Sequence, residues 1–83
     1  LKDLTTQAIQ AYTPAVEEII RTNSHNTCEV DHLLDGMLGF CYDAEMLLLF
    51  KKLCRYYYGI DPVTTAEYVY AYRDMWDEDK KNV

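Results

Sequence analysis

His25, Cys28, Glu29 and His32 are the side chains in this sequence whose types and spacing come nearest to chemistry. Cys28 and His32 stand four apart, so a helix carries both on one face. Zinc accepts thiolate and imidazole in tetrahedral sites, but a closed site needs four ligands. No convincingly spaced fourth ligand follows. Glu29 and His32 also have the Glu-x-x-His spacing of di-iron bundles, which need a second such pair from a facing helix. The sequence has no second Glu-x-x-His. Cys28 and His32 therefore remain the candidate residues for a metal site. The same two residues could form a nucleophile and base. That chemistry also needs an orienting group and an oxyanion site, which no residue pattern here supplies. No catalytic residue and no cofactor is expected, and the chain reads as a non-enzyme.

A second set of residues is suited to binding. Lys51, Lys52 and Arg55 make a local basic strip in a chain of net charge −6. Such a strip is either a solvated outer face or a docking strip for an acidic partner, the acidic fourth helix of a second copy included. Tyrosine occurs eight times. Tyr56, Tyr57 and Tyr58 are consecutive, so one helix cannot bury all three. Tyr70 falls among Glu67 and Asp74 on a polar face. Exposed tyrosine offers large contact area at low entropic cost and is enriched at interfaces. Tyr56, Tyr58 and Tyr70 thus join Lys51, Lys52 and Arg55 as candidate partner-binding residues.

These residues must be positioned by helices. Only three Gly and two Pro occur, too few for the turns of a small β-sandwich. With 49% hydrophobic residues, a folded domain is expected. Residues 1–83 suffice for one domain and not two.

At about 100° per residue, four amphipathic segments emerge. The first spans about Asp3 to Thr22, with Ile9, Tyr12, Val16, Ile19 and Ile20 on one face. Pro14 lies on the polar side and the apolar stripe stays in phase across it, favouring one kinked helix over two. Asn26, with Glu29 three residues on, has capping-box register for the second helix. Val30, Leu33, Leu34, Met37, Leu38 and Cys41 form its inner face, and Cys28, His32, Gly36 and Gly39 its outer one.

Continuing that wheel would put Leu47, Phe50 and Cys54 on the wrong side. A break is therefore expected between Gly39 and Asp43, with Asp43 as the next cap. The third helix, with Met46, Leu47, Leu49, Phe50, Leu53, Cys54 and Tyr57, is the most apolar and should be central. Gly59 suits a left-handed terminus, and Asp61-Pro62 a stop. The fourth helix is expected to begin near Pro62 or Thr65, with Thr64 and Glu67 as a second capping box. Its inner face would be Thr65, Tyr68, Val69, Tyr72, Met75 and Trp76, its outer face Glu67, Tyr70, Asp74, Asp77 and Glu78. The tail Asp79 to Val83 is expected to fray. Gly36 and Gly39 mark either helix termination or close backbone approach, within the fold or across a dimer.

The fold expected is an all-α compact bundle of about four amphipathic helices, or a three-helix core plus one peripheral segment. The acidic balance disfavours direct nucleic-acid binding and attraction to an anionic membrane. No apolar run is long enough to span a bilayer. The odd number of cysteines, Cys28, Cys41 and Cys54, suits free thiols in a reducing cytoplasm. Residue 1 is Leu, so a trimmed N-terminus, a removed signal peptide included, stays open.

The function expected is a small non-enzymatic interaction or regulatory module, bacterial and cytoplasmic, with a protein partner, a second copy in a homodimer included. Two alternatives stand beside it. One is a small metal-binding protein around Cys28 and His32. The other is an acidic regulator that occupies a nucleic-acid-binding protein, with the outer carboxylates standing in for phosphates.

Overall fold

The computed structural model describes residues 3–76. Four helices follow one another, α1 (Leu4–Arg21), α2 (Thr27–Leu38), α3 (Ala44–Tyr58) and α4 (Pro62–Trp76). The expected all-α bundle is the fold, and α3 is its centre, packing against α1, α2 and α4.

Short polar side chains start the helices by accepting the first free backbone N–H groups. Asp3 accepts from Thr6, Asn26 from Glu29, and Asp43 from both Glu45 and Met46. α1 is continuous through the exposed Pro14, as the in-phase apolar stripe requires. Beside it, the Thr13 hydroxyl donates to the Ile9 carbonyl at 2.6 Å, an i−4 bond of the kind that bends helices. α1 ends in a Schellman turn. Ser24 N–H bonds Ile19 O, Asn23 N–H bonds Ile20 O, and Asn23 takes a left-handed φ of 53°.

Two terminus expectations are corrected. Gly59 is right-handed, with φ −70°. The chain coils on without reversal, as Ile60 and Asp61 both donate to the Tyr57 carbonyl. α4 begins at Pro62, so Thr64 is inside the helix and is not its cap. Asp61 takes that role: it accepts from Thr64 N–H at 3.0 Å and from the Thr64 hydroxyl at 2.8 Å. A carboxylate one residue before a proline at the first helical position outcompetes a threonine further along.

The fully buried apolar cluster comes from α1, α2, α3 and Cys41 in the α2–α3 connection, with Val16, Leu34, Met37, Met46, Leu53 and Tyr57 among its most enclosed members. α4 supplies only partly buried side chains to it, Tyr68, Val69, Tyr72 and Trp76. The fold is the expected bundle of four helices, with α4 packed on α3 and its buried residue Thr65 facing inward. The narrow buried arc of α4 also corrects the inner face assigned to Met75, which is 46% exposed.

Gly36 was assigned to the outer side of α2 but is half-buried beneath Tyr12. A Cβ there would lie 2.0 Å from the Tyr12 hydroxyl and 2.9 Å from the ring carbon that bears it. Close approach of α1 to α2 is thus the reason for this glycine. Gly39, at the C-terminus of α2, has open space around it and an αR backbone.

Gly39→Ala is expected to be neutral or to stabilise, by up to about 1 kcal/mol, because alanine is the better helix former. Gly36→Ala is expected to destabilise by roughly 1–3 kcal/mol despite the same propensity gain, because the Tyr12 ring must move. Urea midpoints of the two variants check the contrast.

Candidate functional site

The structure sorts the six candidate binding residues by environment. Tyr56 is half-buried, and its hydroxyl donates to the Ser24 carbonyl at 2.6 Å, tying the end of α3 to the α1–α2 turn. Tyr58 and Tyr70 are 63% and 65% exposed. Lys51, Lys52 and Arg55 are all exposed on α3.

Three of the six, Lys51, Arg55 and Tyr58, line one groove between α3 and α4, with a volume of about 520 Å³. Its floor is Leu47, Phe50, Cys54, Val69 and Tyr72. Arg73 reaches it from α4, and Phe50 and Tyr72 stack obliquely at its base, their ring centroids 6.2 Å apart. The groove exists because α4 lies on α3 along a narrow arc and leaves the neighbouring arc of α3 uncovered. Lys52 and Tyr56 are not among its lining residues, and Tyr70 stands on the outer face of α4 beside Glu67 and Asp74.

Lys51, Arg55 and Arg73 have no carboxylate partner among the described residues, where the ion pair is Arg21 with Glu18 at 2.7 Å. The groove thus combines an apolar trough with three flanking cations. Arg73 and the exposed Leu48, one turn before Lys52, were not singled out from the sequence. Leu48 was legible on the helical wheel, where it falls beside Arg55. Arg73 was not, since only the placement of α4 on α3 brings it to the groove.

Carboxylates gather elsewhere. Asp31, Asp35 and Glu67 line a second groove of about 390 Å³ between α2 and α4. Asp31 is also a structural hub. Its carboxylate accepts from the Tyr57 hydroxyl at 2.9 Å and its backbone carbonyl from the Tyr68 hydroxyl at 3.1 Å. Burial, then the neighbouring carboxylates, push both phenols well above the ordinary tyrosine range. Trp76 Nε1 donates to the Leu38 carbonyl at 2.8 Å, satisfying a free group at the end of α2, and Tyr42 packs edge-on against its ring. The Tyr42 hydroxyl in turn bonds Thr5. Asp77, Glu78 and the 79–83 tail lie outside the described residues.

Cys28 and His32 are both exposed on α2, and His25 Nδ1 lies 3.0 Å from the Asn23 carbonyl. Among the described residues, no three His, Cys, Asp or Glu side chains come together as metal ligands. Cys41 and Cys54 are buried, which pushes their thiols up to about 12 and about 11.

Two outcomes follow. Iodoacetamide at neutral pH is expected to label Cys28 in the native chain, with Cys41 and Cys54 reacting only on unfolding; peptide mass spectrometry reads the sites. The raised Tyr57 and Tyr68 values stabilise the fold below the unfolded tyrosine value of 10.0, and that contribution is lost as pH rises past it toward the folded values. Stability measured by urea unfolding is therefore expected to fall steeply above about pH 10, and less steeply in a Tyr57→Phe, Tyr68→Phe variant.

No protein-family model matches this chain, and neither a curated protein nor a solved structure matches it.

Proposed function

We propose that the chain is a small non-enzymatic protein–protein interaction module whose docking surface is the groove between α3 and α4. The observation that carries this reading is an apolar floor bordered by Lys51, Arg55 and Arg73 in a protein of net charge −6. The matching partner element is an amphipathic helix with an apolar stripe and acidic flanks, a recurrent mode of peptide recognition. Leu48, 68% exposed, and Tyr58 extend the apolar surface at the rim. Covering a large apolar side chain brings roughly 1.5–3 kcal/mol, so a few such contacts support a specific complex. The cations set orientation and speed of encounter more than affinity.

The groove between α2 and α4, with Asp31, Asp35 and Glu67, gives some support to an acidic regulator of a nucleic-acid-binding protein. The α3–α4 surface is preferred because it combines apolar area with cations that have no carboxylate partner among the described residues, whereas Asp31 of the acidic cluster is engaged in holding the fold.

The test compares proteins captured from a lysate of the native cell by wild type and by a Lys51→Glu, Arg55→Glu variant. Circular dichroism verifies that the variant folds. A partner retained by wild type and reduced about tenfold or more by the variant is expected. An identical set of captured proteins for both would overturn the groove as the docking surface.

A further inference from the structure

The outer face of α4 carries the chemistry that the groove calls for. Val63, Glu67, Tyr70 and Asp74 follow the i, i+4, i+7, i+11 spacing of one helical stripe. Val63 is 70% exposed and Tyr70 65%, and the acidic members Glu67 and Asp74 are exposed as well. Opposite in character, α3 presents Leu48, Lys51, Arg55 and Tyr58 along a stripe of the same pitch. One stripe has two apolar side chains with two carboxylates, the other two apolar side chains with two cations.

We infer that the helix occupying the groove is α4 of a second copy of this chain, in a two-fold symmetric pair. The inference rests on the reading of the groove as a docking surface and names its occupant. Each copy lays Val63, Glu67, Tyr70 and Asp74 along Leu48, Lys51, Arg55 and Tyr58 of the other, so every contact is made twice.

The helical wheels place both stripes outside the arcs along which α3 and α4 of one copy meet. On α4, Thr65, Val69 and Tyr72 turn toward its own α3, Arg73 comes next around the helix, and Tyr70 and Val63 follow. On α3, Phe50 and Cys54 lie toward its own α4, with Tyr58, Lys51, Arg55 and Leu48 successively further round. In the proposed pair the open edge left by the one-sided seating of α4 is filled by its counterpart. The overall negative charge of each copy opposes long-range approach, so the pairing depends on local complementarity between the stripes.

Sedimentation analysis from about 10 µM to about 1 mM tests the inference with three proteins. Wild type is expected to dimerise within this range. Lys51→Glu, Arg55→Glu and, separately, Glu67→Lys, Asp74→Lys are each expected to weaken self-association by about a hundredfold or more. The second variant lowers the negative charge, so general repulsion cannot explain its loss of pairing. An equimolar mixture of the two variants is expected to restore the dimer, because in the mixed pair both interfaces again join opposite charges. Circular dichroism verifies that each variant folds.

Wild type that stays monomeric, variants that still dimerise, or a mixture that does not pair would each overturn the inference. A monomeric wild type whose lysate capture still depends on Lys51 and Arg55 would leave the docking reading standing with another protein as occupant. Loss of both would remove both readings.

Discussion

A wholly buried phenol has to find an acceptor, and Tyr57 finds it in Asp31. That bond fixes α3 against α2 at one rotation. The backbone carbonyl of the same aspartate receives the hydroxyl of Tyr68, which sets α4 over the pair. Three helices are thus registered on one residue of α2. The neighbouring seats follow from this register: Tyr12 over Gly36 on one side, Trp76 on the Leu38 carbonyl on the other. Among the described residues no buried side-chain nitrogen or oxygen lacks a partner, so the polar groups carried inward by tyrosine and threonine are all answered.

The abundance of tyrosine takes a different meaning in this light. Tyr57 buries its whole ring and Tyr56 and Tyr68 part of theirs, each spending the hydroxyl on a neighbouring element, and Tyr42 bonds Thr5. Tyrosine here substitutes for the longer apolar side chains of a larger core, since each ring adds area and each hydroxyl adds a directional tie. Tyr58 and Tyr70 remain at the surface.

Much of the fold was legible because it depends on periodicity and caps. The reversal of the apolar face after Gly39 located the α2–α3 break, and Asp43 and Asn26 cap where short polar residues precede an apolar run. The phase of Ile9, Tyr12 and Val16 carried α1 through Pro14. The misreadings share a cause, competition between neighbours that are individually plausible. Asp61 and Thr64 are both good caps, and the position of Pro62 between them decided for Asp61. Gly59 permits a left-handed turn without requiring one, and the capping of the following helix left no need for it. Gly36 has no side chain to reveal what covers it. The groove was half legible. Lys51, Arg55 and Tyr58 were named from charge and exposure on one helix, while Arg73 and the floor residue Val69 arrive from another, and no pattern along a single helix states where its neighbour lies.

The shallow seating of α4 has a further consequence for how the molecule breathes. Apart from the buried Thr65, its side chains pack partly buried against the enclosed cluster, tied by aromatic hydroxyl and indole bonds at separated points. Release of this helix would leave the enclosed cluster of α1, α2 and α3 packed on itself, so a partial opening in which α4 swings away and the remainder stays folded is expected of this domain of 83 residues. Trp76, the only indole in the sequence, sits at the end of that helix and gives the opening an intrinsic optical signal.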